Sequence, residues 1–183
     1  MLLRSGYCYA RNSNCIAPKN CMLGLDSIRL LSSSGRTSLT TITASQNPGE
    51  ISPHSSEEIL LPTPAQTLAL GGRLAELARV GDAFLLHGDY GSGKTCLARG
   101  FVQRWFRSAG EFYVASPSYL IDNTYPDEER CALIPGVAVH HIDLWRLPDG
   151  KARDLLDLPH IFSNCVSLIE WPQRLAAEDI PMQ

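Results

Sequence analysis

The stretch FLLHGDYGSGKTCL, residues 84–97, decides the fold. A short apolar run, Phe84-Leu85-Leu86, enters a loop with three glycines, and a helix-like segment leaves it. Gly88, Asp89, Tyr90, Gly91, Ser92, Gly93, Lys94 and Thr95 satisfy G-x-x-x-x-G-K-[ST], the spacing of a phosphate-binding loop. Glycines let the chain turn tightly, so that successive N–H groups converge on an anion. The helix starting near Lys94 adds unpaired amides and the positive end of its dipole. Lys94 supplies a full charge for the β- and γ-phosphates, and Thr95 offers a hydroxyl to Mg²⁺.

The flanks fit this loop. Ala83 to His87 reads as a buried strand, because its apolar residues run together. Residues 94–107 place Leu97, Phe101 and Trp105 on one helical face, with Ala98, Val102 and Phe106 beside them. Upstream, Gly81-Asp82 marks a turn, and residues 65–79 carry Leu70, Leu74, Leu77 and Ala78 at helical spacing, with Arg73, Glu76 and Arg79 mostly opposite. Glu58 to Leu61, Phe112 to Ala115, Leu120 to Tyr125, Val137 to Asp143 and Val166 to Ile169 are expected strands. Strands alternating with helices predict an α/β fold, a P-loop-type sheet flanked by helices.

Three further segments carry chemistry. Asp143 ends the apolar strand Val139 to Asp143, where a P-loop enzyme places a Mg²⁺-side acid; a strand-terminal aspartate opening a turn has the same spelling. His140 and His141 are adjacent and face opposite sides of a strand, which argues against a shared metal. Ser116-Pro117-Ser118-Tyr119 offers hydroxyls that could sense a γ-phosphate through Mg²⁺. Glu170-Trp171-Pro172 follows the last apolar strand; Glu170 could orient a water, and Trp171 could stack on a base or cap the core.

These elements, in this order, resemble one small family, the TsaE (YjeE) proteins. The resemblance runs from about Thr67 to Pro181 and rests on the loop 88–95, Arg99-Gly100, Ser116-Pro117-Ser118-Tyr119, His141-Ile142-Asp143-Leu144-Trp145-Arg146-Leu147 and Ile169-Glu170-Trp171-Pro172. It implies an ATPase that supports the threonylcarbamoyl modification of adenosine next to the anticodon. It implies ATP and Mg²⁺ as cofactors, and TsaB-like and TsaD-like subunits as partners, with tRNA reached through their complex. By resemblance, Lys94, Asp143 and Glu170 are catalytic; Thr95, Ser118 and Asp143 face the metal; Trp171 lies by the nucleotide. Three departures stand out: Ser118 replaces a threonine, Lys151 and Asp157 interrupt the pattern after Arg146, and the sequence ends at Gln183, short of further family strands. The last departure predicts an unpaired sheet edge and low stability.

Composition sets bounds. The 183 residues suit one domain plus a leader, and 44% hydrophobic content suits a packed core. A net charge of −3 argues against a broadly basic surface for nucleic acid. No apolar run has the ~20 residues that span a bilayer. The six cysteines show no CxxC pair and read as reduced thiols. Residues 1–49 hold five basic residues, Arg4, Arg11, Lys19, Arg29 and Arg36, against the single acid Asp26, and many serines and threonines, so 1–55 reads as a disordered leader and organellar transit peptide, for mitochondrion or plastid, ahead of an ATPase domain at 56–183. Without transit function, the protein is expected in the cytoplasm. Two rivals share the loop: a phosphotransferase using Arg130, Arg146 or Arg153 as a lid, and a nucleotide-dependent binding module.

Overall fold

The computed structural model describes residues 59, 61–107, 113–127 and 131–180, and the backbone of three strands before them. In chain order these are β1 (Leu25–Leu31), β2 (Thr41–Thr43), β3 (Ser56–Glu57), α1 (Pro64–Leu77), β4 (Ala83–Gly88), α2 (Lys94–Trp105), β5 (Asp122–Tyr125), β6 (Val139–Asp143), α3 (Leu158–Asn164) and β7 (Val166–Glu170). The strands form one mixed sheet in the order β3-β2-β1-β4-β7-β6-β5. Strands β4, β7 and β6 are parallel neighbours, and β5 closes one side antiparallel to β6. The fold is α/β with the expected P-loop-type core.

The alternation of side chains along the central strands builds two cores. Phe84, Leu86, Val139, Val166 and Leu168 face α1 and α2 with Leu97, Phe101 and Trp105. Ala83, Leu85, Ile142 and Ile169 face α3 with Leu158, Ile161 and Phe162. Burial on both faces explains why the apolar residues of β7 do not alternate with exposed ones, and even Ser167 and Glu170 are buried. Phe101 meets Phe84 edge-on at 5.2 Å and stacks on Trp105 at 5.8 Å, which anchors α2 to the sheet.

Helix α1 starts at a capping box, in which Thr63 and Gln66 satisfy each other's backbone donors, and Pro64 occupies its first turn. Its buried stripe is Thr67, Leu70, Gly71 and Ala75, whereas Leu77, expected in the core, is 72% exposed. The stripe is rotated because α1 crosses α2 at glycines. A Cβ on Gly71 would lie 2.1 Å from the Leu97 carbonyl oxygen, and one on Gly100 2.1 Å from that of Leu68.

Other expectations are corrected. The strand expected at Phe112 to Ala115 is irregular where described, because side chains take its acceptors: Arg99 Nε donates to Val114 O and Asn123 Nδ2 to Ala115 O. Strand β5 starts at Asp122 rather than Leu120, since Ile121 turns through φ +71°. Of the strand expected over Glu58 to Leu61, the described residues Ile59 and Leu61 are not in a strand, and β3 lies at Ser56–Glu57. Helix α3 was not expected; it is a two-turn helix capped by Asp157. Inside the segment expected as a disordered leader, β1 pairs antiparallel with β4 from Leu25↔Gly88 to Leu31↔Ala83. Unpaired donors and acceptors along β4 explain the recruitment of a strand there. The side of β4 away from β7 is therefore covered by β1. Cys8, Cys15 and Cys21 lie outside the described residues; Cys96, Cys131 and Cys165 are free thiols.

Candidate functional site

The three parallel strands end together. Leu86 of β4 is in register with Glu170 of β7, and Glu170 with Asp143 of β6. Both carboxylates thus stand at the carboxyl ends of parallel strands, where open α/β sheets bind their ligands. The loop 88–93 leaves the same end of β4. Gly88, Gly91 and Gly93 all take positive φ, at 147°, 81° and 98°. Gly93 precedes α2 without a side-chain cap, so the first amides of that helix are left for a ligand.

A cavity of about 480 Å³ opens there. It is lined by Pro64, by Tyr90 to Cys96 of the loop and helix, by Arg99, by Ser116 and Ser118, and by Asp143, Trp145, Glu170 and Trp171. Its size lies in the range of small-ligand sites. Lys94 is 4% exposed, and its Nζ donates to Gly88 O and Asp89 O, both at 2.8 Å, and to Ser92 Oγ at 3.4 Å. The ammonium also sits 4.3 Å from the centre of the Trp171 ring, and Trp171 packs on Trp145 at 4.4 Å. Trp171 holds φ +59°, uncommon for a bulky residue, and so turns its ring towards the loop side.

Asp143 is 3% exposed and fully engaged. Its Oδ2 accepts from Ser116 Oγ at 2.7 Å and its Oδ1 from Trp145 N at 3.0 Å. Ser116 Oγ lies 2.6 Å from Ser118 Oγ. Ser118, expected at the metal, thus reaches Asp143 through Ser116, a residue to which the sequence reading gave no role of its own. Glu170 Oε1 accepts from Thr95 Oγ1 at 2.8 Å and from His141 Nε2 at 2.9 Å. The two histidines do face opposite ways: His140 pairs with Asp122 at 2.7 Å in β5, and His141 turns to Glu170. Cys96 also lines the cavity, but burial pushes its thiol up, away from the reactive thiolate.

Every residue expected at the site that comes from 90–95, with Ser118, Asp143, Glu170 and Trp171, lines this one cavity. Gly88 and Asp89 take part through their carbonyls, which hold Lys94. Of the lid arginines, Arg146 lies over the Tyr119 ring at 4.2 Å, Arg153 pairs with Asp179, and Arg130 lies outside the described residues. Among the described residues no three His, Cys, Asp or Glu side chains cluster as a metal cage. The donors present are hydroxyls and single carboxylates. That set fits Mg²⁺ held by one or two carboxylates together with phosphate oxygens.

A P-loop-type α/β protein, with its loop, hydroxyls and paired carboxylates in one crevice, is the class that this architecture defines. A family model described as "Threonylcarbamoyl adenosine biosynthesis protein TsaE" matches residues 61–183. The chain belongs to the TsaE family. It is 33% identical over 123 residues to the tRNA threonylcarbamoyladenosine biosynthesis protein TsaE of Mycobacterium tuberculosis (strain H37Rv), covering 63% of this chain and 68% of that protein. The protein of the same name from Streptomyces coelicolor is 38% identical over 111 residues, covering 60% and 69% of the two chains. That of Synechocystis is 31% identical over 125 residues, covering 66% and 73%.

Proposed function

We propose that this protein binds ATP with Mg²⁺ in the crevice around Lys94 and hydrolyses it in support of tRNA threonylcarbamoyladenosine biosynthesis. Hydrolysis is coupled to turnover of a complex with TsaB-like and TsaD-like subunits, and tRNA is met through that complex. The observation that carries this reading is the meeting of Lys94, Thr95, Asp143 and Glu170, from separate segments, on one cavity. Family membership supplies the pathway.

Each residue has a defined task. The loop amides and Lys94 bind the phosphate tail. The hydroxyl of Thr95 and the carboxylate of Asp143 hold Mg²⁺, which when bound neutralises phosphate charge at the bond that breaks. Glu170, anchored through Oε1, orients the attacking water with the rest of its carboxylate. Trp145 and Trp171 shield the site. A phosphotransferase would call for an arginine lid over the donor phosphates. Arg153 is committed to Asp179 and borders a different cavity, and Arg99, which lines the crevice, donates its Nε to Val114 O, which weakens that rival.

Asp143→Ala is expected to lower ATP hydrolysis by about a hundredfold or more while ATP affinity changes by only about threefold. Removing the acceptor strands Ser116 Oγ and Trp145 N, so the melting curve should also drop, by about 1–3 kcal/mol. Steady-state ATPase assays and titration with a fluorescent ATP analogue check this. Hydrolysis should rise on adding the TsaD-like subunit. A rise with a small alcohol or nucleoside instead would favour the phosphotransferase. The arginine- and serine-rich N-terminal segment directs the protein to a mitochondrion or plastid in this proposal. A fluorescent fusion of residues 1–55 is expected to enter the organelle, and a diffuse cytosolic signal would reject it.

A further inference from the structure

His141 is the feature that the proposed chemistry leaves unused. It is fully buried at 0% exposure on β6, between β7 and β5, on the same strand face as Val139, which packs into the core under α2. Its Nδ1 is buried and has no hydrogen-bond partner. An orphaned polar atom in a core is a cost that leucine or phenylalanine at this position would avoid. The other ring nitrogen accounts for keeping it. A carboxylate only accepts, so Nε2 carries the proton and donates it to Glu170 Oε1 at 2.9 Å. That same oxygen accepts the Thr95 hydroxyl at 2.8 Å.

We propose that His141 is a positioning residue: its Nε2–H fixes Glu170, and Glu170 in turn fixes the Thr95 hydroxyl for Mg²⁺. A threonine hydroxyl has one proton and two lone pairs. With the proton committed to Glu170, the lone pairs stay available to a cation. Three elements take part, β6 through His141, β7 through Glu170 and α2 through Thr95, so the loop end of α2 is tied to the sheet at the metal side. This is the outer-shell support that orients metal ligands. The inference rests on the reading of the crevice as an ATP–Mg²⁺ site.

The test is titration of the full chain with a fluorescent ATP analogue, in EDTA and in Mg²⁺. In His141→Leu, affinity in EDTA should stay within about twofold of the unaltered protein, whereas the gain conferred by Mg²⁺ should fall about tenfold. His141→Gln, whose amide nitrogen can replace Nε2 as donor, should recover most of that gain. In a Thr95→Ala background, His141→Leu should add no further loss, because the route through the hydroxyl is already cut. Equal loss in EDTA and Mg²⁺, no rescue by glutamine, or additive losses with Thr95→Ala would overturn the proposal. A Mg²⁺ gain untouched in His141→Leu would do so as well. If the unaltered protein binds no ATP under either condition, the reading of the crevice itself falls, before any variant is needed.

Discussion

Lys94→Ala is expected to abolish measurable ATP binding while leaving the fold intact. The ammonium is almost wholly buried, and its near neighbours are the Gly88 and Asp89 carbonyls, the Ser92 hydroxyl and the Trp171 ring. All are acceptors or a π-face, and a triphosphate brings stronger acceptors of full negative charge. Leaving a desolvated anion without its counter-charge costs about 3–5 kcal/mol. That is about two to three and a half orders of magnitude in Kd. Alanine suits the start of α2, but removing the ammonium strands the Gly88 and Asp89 carbonyls, so the melting curve should drop by about 1–3 kcal/mol without loss of the fold. Isothermal titration with ATP and Mg²⁺ measures the effect. Unaltered affinity would remove the phosphate site from this crevice.

The second large effect is structural and lies about a turn and a half along the same helix. Gly100→Ala puts a methyl 2.1 Å from Leu68 O and 2.8 Å from Leu68 C and Cα, all backbone atoms that no rotamer change can move. Helices α1 and α2 must separate, or α2 must slide on the sheet. The expected loss is about 3 kcal/mol, at the upper end of overpacking costs. For a domain of this size it lowers the melting temperature by on the order of 10 °C. Gly72 is the contrast. Its Cβ would meet the Arg104 side chain at 3.5 Å and the Gly100 carbonyl oxygen at 3.8 Å, both ordinary contacts, in the interior of α1. Gly72→Ala is expected to stabilise by about 0.5–1 kcal/mol, through helix propensity. Thermal melts of the two variants decide it. Equal effects would mean that the close crossing of the helices is not what holds α1.

Much of this architecture was readable in the residues, and the misses share a cause. Strands β4 and β7 announce themselves through clustered apolar residues because both of their faces are covered, and β6 through alternation around Val137, Val139 and His141. Helix α2 shows a broad stripe, and Leu97, Phe101 and Trp105 are all buried. Helix α1 was found, but not its orientation, since a core stripe built on Gly71 and Ala75 looks polar or neutral beside Leu77. The segment after α2 looked like a strand because its apolar residues do go inward at Val114, yet its carbonyls bond to the side chains of Arg99 and Asn123. At the site, local spacing named the loop, while Asp143 and Glu170 were singled out by the family resemblance and not by spacing. Spacing did not separate Ser116 from Ser118, two residues apart in a turn, and it did not pair His141 with Glu170. That pairing needs the strand order β7 beside β6, which no local spacing encodes.

The placement of the three indoles has a practical consequence. Trp105 is sealed between α2 and the sheet, while the rings of Trp171 and Trp145 touch each other at the crevice, one of them against an ammonium. A triphosphate that draws the lysine away changes the electric field on one chromophore out of three and leaves the core one untouched. On the proposed reading of the crevice as an ATP site, the polypeptide carries an unlabelled optical gauge of its own occupancy, with an internal reference built into the same spectrum.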